Sequence, residues 1–171
     1  RVLMAFLASI TLIPIYFIGR DITLSDHGGL FSAILLAIHP AHVYFAHFGH
    51  PTTYATLWIS FAVLFAAKII KSAKTSNCLL AGASIALAVL TRMDCAFIFI
   101  PIFSALFYYC YHKKSLRTFI VGSAWIFASF CITNILCNPY IILAPKAIID
   151  DITFILHAHA GMNVPISERL N

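Results

Sequence analysis

Charge is what this 171-residue chain has least of. Asp, Glu, Lys and Arg together make up 10% of it, against about 25% in an ordinary soluble domain. The charges that remain do not alternate with apolar residues, so the surface of a water-soluble globule cannot be built from them. Paired cysteine spacings are also missing. The five cysteines, Cys78, Cys95, Cys110, Cys131 and Cys137, fall in or beside apolar runs with no CxxC or Cys/His metal spacing, and cysteines so placed pack as small hydrophobes. No internal repeat is visible. What the chain has instead is apolar residues, 61% of the total, with a mean hydropathy of +0.94.

These residues form six windows without charge: Val2–Ile18, Gly28–Ala46, Thr53–Ala67, Asn77–Thr91, Cys95–Tyr111 and Thr118–Cys137. A helical membrane span takes about 20 apolar residues. The expected fold class is therefore all-α, a polytopic membrane helical bundle with about six transmembrane helices over residues 1–137. Residues 138–171 then begin an outer-face loop with an amphipathic helix. A signal peptide is excluded, because no small-residue cleavage site precedes Gly19 and five more windows follow. Arg1 leads straight into an apolar run and the end, "GMNVPISERLN", is polar, which gives the expectation of an internal stretch of a longer protein.

The net charge of +5 reads as topology and excludes a nucleic-acid patch. Three joints between windows are cationic: Arg20 in the first, Lys68, Lys71 and Lys74 in the third, Lys113, Lys114 and Arg117 in the fifth. They hold seven of the eleven Lys and Arg residues. The second joint has none and the fourth has Arg92 only. The positive-inside rule puts the odd joints in the cytoplasm. The even joints and the tail then face the periplasm, lumen or cell exterior. That outer side collects His47, His50, Arg92, Asp94, Asp150, Asp151, His157 and His159.

Pro40 in "AIHPAHV" predicts a kink in the second window. His39, His42, His47 and His50 cluster around it. His47 and His50 are three apart and would share a helix face. They read as polar or substrate-facing groups beside Tyr44, Phe45, Phe48 and Tyr54, or as metal ligands. A divalent metal is the one cofactor they leave open, and no metal site is assigned. In "ALAVLTRMDCAFIFIP" the fourth window is short and turns directly into the fifth. Arg92 at that tip needs a partner. Asp94 in a salt bridge and a lipid phosphate held by the guanidinium fork are the two readings. In the tail, Asp150 and Asp151 are adjacent and diverge on a helix. His157 and His159 are two apart, a weak metal or substrate signal.

The order of these features resembles the GT-C glycosyltransferases. The stretch "GGLFSAILLAIHPAHVYFAHFGHPTTYATLWISFAVLFA" is similar to their small-residue-rich helix, proline, polar loop and next span. "AGASIALAVLTRMDCAFIFIPIF" resembles their hairpin, with Arg92 where lysine is common. "CNPYIILAPKAIIDDI" is similar to their Asn-Pro-Tyr segment leading into an amphipathic helix. The nearest in pattern are protein O-mannosyltransferase and aminoarabinose-transferase-like enzymes of the family 39 type. The resemblance implies an inverting transferase that moves a sugar from a polyprenyl-phosphate carrier to a lipid, protein or glycan acceptor. It implies Arg92 as the carrier-phosphate cation, and His47, His50, Thr52, Tyr54 and Asp94 as substrate contacts. The catalytic aspartate of such enzymes would lie upstream of Arg1, so no catalytic base is named here. Thr52 stands after Pro51 where many relatives carry an aspartate, which keeps an inactive membrane scaffold as an alternative. A multi-span transporter is the other, since proton-coupled carriers also set His, Asp and Arg beside kinked spans.

Overall fold

A computed structural model describes residues 2–139 together with 143, 146, 150 and 153. The chain divides into two compact units, 1–133 and 134–171. Helices carry the first: α1 (Val2–Thr23), α2 (Asp26–Ala37), α3 (Pro40–Phe48), α4 (Pro51–Lys71), α5 (Thr75–Thr91), a 3-10 helix (Met93–Ile98), α6 (Phe99–Lys113) and α7 (Leu116–Cys137). No strand occurs among the described residues. In the second unit the described part comprises the last turn of α7, Asn138, whose N–H donates to the Asn134 carbonyl at 2.8 Å, Pro139, and the helical residues Leu143, Lys146, Asp150 and Thr153. Asp151, His157, His159 and most of the expected amphipathic helix lie outside the described residues. Asp150 is helical and exposed.

Each of the six windows becomes helical, yet they do not make six spans. Four rods are long and apolar enough to cross a bilayer: α1, α4, Met93–Lys113 and α7. α2 and α3 add a fifth only if taken together as one broken span, for they meet at 55°. Pro40 is the cause. It sits at the first position of α3, and His39 before it is extended (φ −66°, ψ 121°), as a residue preceding proline prefers. The Leu36 carbonyl left over at the break accepts the His39 N–H at 3.1 Å. α5 has 17 residues and so rises about 26 Å, short of the roughly 30 Å hydrocarbon core.

That short helix is the centre of the packing. α5 buries Cys78, Ala81, Gly82, Ser84, Ile85, Ala86 and Ala88, against Ala62, Ala66 and Ile69 of α4, Ile102 and Leu106 of α6 and Ile126 of α7. Small side chains let helix backbones approach in a membrane, where apolar burial alone does not drive association. Gly82 is the extreme case: a Cβ there would stand 2.2 Å from the Ile126 carbonyl oxygen. Beside it the Ser129 hydroxyl donates to the Leu79 carbonyl at 2.7 Å, an interhelical bond worth about 0.6–2 kcal/mol. On α7 only Gly122, Ile126 and Ser129 are buried, and its large apolar residues Ile120, Phe127 and Ile132 are exposed. An outward apolar face of this kind suits lipid as solvent.

The joints segregate to two ends. α1 and α4 are tied at one end by Lys71 Nζ to Asp21 Oδ2, 3.0 Å. Ala73, Thr75 and Arg117 line one small cavity between the starts of α5 and α7. The three cationic joints thus share an end, and the even joints share the other.

Candidate functional site

The site grows from two helix ends. Gly49 closes α3 in the left-handed conformation (φ 72°), which glycine enters without steric cost. The chain then restarts at His50-Pro51. Proline at the first position of α4 pre-sets the backbone, and His50 is its N-cap. The imidazole Nδ1 accepts the Thr52 backbone N–H at 3.3 Å and lies 2.7 Å from the Thr52 hydroxyl. With both groups donating to Nδ1, the neutral ring carries its proton on Nε2. The ring also rests 5.0 Å from that of Phe45.

Arg92 arrives from the other helix end. α5 stops there because Arg92 is extended (φ −152°, ψ 124°). Its Nε donates to Asp94 Oδ1 at 3.0 Å and its Nη2 to Asp94 Oδ2 at 2.7 Å. Its Nη1 donates to the Thr52 hydroxyl at 3.3 Å. A single relay therefore runs Asp94–Arg92–Thr52–His50 across residues forty apart in the chain. The hydrogen bonds to Asp94, and then its charge, raise the Arg92 pKa above its ordinary value, so the guanidinium is cationic at every working pH. Three of its five N–H donors serve the relay, leaving two for an incoming anion. The side chains of Arg92 and Asp94 are 42% and 59% exposed, open enough to be reached.

A small apolar cluster holds this geometry in place: Ala55 of α4, Ala88 of α5 and Cys95 of the 3-10 helix, backed by Trp58 and Ile59. One alanine on each helix brings the start of α4 against the end of α5. Thr53, a residue the sequence reading passed over, is 2% exposed, and its hydroxyl has no hydrogen-bond partner among the described protein groups. A buried hydroxyl of this kind ordinarily has one. The only signal for it in the sequence is the doubled threonine after Pro51.

Four of the expected residues, His50, Thr52, Arg92 and Asp94, come together. His47 does not join them, contrary to the three-residue spacing. α3 has ended at Phe48 before His50 is reached, so the two histidines share no helix face. His47 instead lines a cavity of about 270 Å³ between α1 and α3 with His42, Ala5, Ala8 and Ser9, and His42 Nε2 is 3.3 Å from the Ala8 carbonyl oxygen. Tyr54 is half-buried in the first turn of α4 and makes no hydrogen bond to the relay. Among the described residues no three His, Cys, Asp or Glu side chains gather as a metal site.

The profile of the dolichyl-phosphate-mannose-protein mannosyltransferases matches residues 1–142. The chain belongs to that family. The match runs through every described helix of the bundle and both ends of the relay. Membership makes this mannosyltransferase-family chain an integral membrane glycosyltransferase of the GT-C type. No curated protein and no solved structure matches it.

Proposed function

We propose that the chain forms part of an enzyme that takes a sugar from a polyprenyl-phosphate carrier, with the relay on the membrane face away from the cytoplasm. The supporting observation is Arg92: a charged, half-exposed guanidinium at the tip of an undersized helical hairpin, with two N–H groups uncommitted. When the sugar departs, the carrier phosphate gains negative charge, and a preplaced cation stabilises that change in the transition state. Asp94 and Thr52 orient the fork. His50 Nε2–H offers a donor to a sugar hydroxyl or to the phosphate. The outer assignment follows from the cationic joints at the opposite end. The acceptor is a lipid, a protein or a glycan.

The test is donor turnover. Membranes carrying the full-length protein consume polyprenyl-phosphate-linked sugar, and Arg92→Ala lowers that rate by roughly 100–1000-fold, the usual cost of removing a transition-state donor, while weakening donor binding. Near-normal turnover in the variant, at equal protein in the membrane, overturns the assignment. Substrate flux across vesicles without sugar consumption would identify a transporter instead.

A further inference from the structure

A large cleft lies at the other end of the bundle from Arg92. It opens between α6 and α7, has a volume of about 660 Å³, and is lined by Phe107, Tyr111, Leu116 and Phe119 below and by Lys114 and Ser115 at its mouth. That volume is in the range of small-molecule sites. Its walls are aromatic and aliphatic, with Phe107 stacked on Tyr111 (6.3 Å) and edge-on to Phe119 (6.2 Å). Tyr111, Phe107 and Leu116 remain exposed. Lys114 brings a cation to the lining; Lys113 adjoins it in the chain, Arg117 lines the neighbouring cavity toward α5, and no acidic residue occurs between Asp94 and Asp150. None of the three pairs with a carboxylate among the described residues. Ser115 accepts the Thr118 N–H at 3.4 Å, capping α7, so the positive end of a 22-residue helix opens at the same place.

Lys114 is the telling residue. It closes α6 with φ 49° and ψ 37°, its N–H donating to the Cys110 and Tyr111 carbonyls. That left-handed closing position is one that glycine fills without cost and that a lysine fills with strain. A lysine there retains a cation at the mouth of an apolar cleft.

The geometry points to a bound anionic phospholipid of the bilayer: its phosphate on Lys114, in the field of Lys113 and Arg117, and an acyl chain along Phe107, Tyr111 and Phe119. Charge complementarity selects it over a zwitterionic lipid, and basic pockets between spans are where anionic headgroups are held. The site takes no part in the sugar transfer proposed above.

The experiment uses the full-length protein, delipidated in neutral detergent and titrated with phosphatidylglycerol or phosphatidylcholine. Its readouts are unfolding temperature and lipid retained by mass. Phosphatidylglycerol is expected to raise the unfolding temperature several degrees more than phosphatidylcholine and to remain bound. Lys113→Gln/Lys114→Gly abolishes that difference, Lys114→Arg keeps it, and Lys74→Gln, which removes a cation from another joint at the same end, leaves it unchanged. In lipid-free detergent Lys114→Gly unfolds no lower than the parent, because glycine relieves the turn. Equal stabilisation by both lipids would overturn the headgroup contact and leave ordinary bilayer exposure. No stabilisation by either would mean that polypeptide fills the cleft. Lower stability of Lys114→Gly without lipid would make the lysine a packing residue. Each of these three results sinks the proposal.

Discussion

The two ends of the helical bundle are both held by ion pairs, and they are held differently. At one, Lys71 meets Asp21 through a single contact between the last turns of α1 and α4, with the lysine side chain more than half exposed. At the other, Arg92 is gripped by both oxygens of Asp94 and passes a third bond to Thr52, which meets His50. A lone lysine contact at a surface is a tether of about 0–1 kcal/mol. A guanidinium fixed in three directions has a defined plane and spare donors aimed by that plane. Preorganised donors are what a reaction that develops charge on phosphate requires. The comparison separates a cationic end tied by one loose contact from a polar end whose donors are fixed in direction.

The largest effect expected from testing this contrast is at Arg92. The alanine variant loses roughly two to three orders of magnitude in turnover, and Arg92→Lys fails to restore the rate fully, since an ammonium cannot span Asp94 and Thr52 together. Radiolabelled donor consumption in membranes measures both. Next comes the crossing that both ends depend on. Gly82→Ala drives a methyl into the Ile126 carbonyl and costs about 1–3 kcal/mol as overpacking does, read as a lower unfolding temperature in detergent, with activity falling in proportion to folded protein. A smaller change follows Thr52→Val. It removes the hydroxyl that accepts from Arg92 and meets His50, and lowers donor affinity roughly 2–10-fold, the worth of one hydrogen bond. Donor KM rises more than kcat falls. The smallest belongs to Lys71→Gln, which shifts stability by about 0–1 kcal/mol and leaves turnover unchanged. A large loss of turnover there would erase the contrast between the ends.

Much of the fold was legible because its causes are local. Apolar windows become helices in lipid since every backbone group must be satisfied within the segment. Both His-Pro pairs, His39-Pro40 and His50-Pro51, open helices in the structure, and proline's missing N–H and fixed φ explain why. The family resemblance read from the motifs around Pro40, Arg92 and Pro139 agrees with the profile match. The number of spans was overestimated. A window without charge does not disclose a 55° bend or whether 17 residues suffice. The pairing of histidines was misread for a similar reason. Spacing of three implies a shared face only while the helix continues, and Gly49 ends it. That His42 and His47 line one cavity against α1 depends on a second helix that spacing does not include.

By itself the sequence determined that the chain crosses a membrane, where its helices start, and which joints carry the cations, for each of these follows from the transfer energy or backbone chemistry of a few consecutive residues. Only the tertiary structure decided that Thr52 meets Arg92 and that Lys114 stands over an open cleft. A hydrogen bond between residues forty apart exists only if two helices approach to within a fraction of an ångström of the right separation. Ala55, Gly82, Ala88 and their neighbours set that separation together, through the sum of many weak contacts that no short stretch contains.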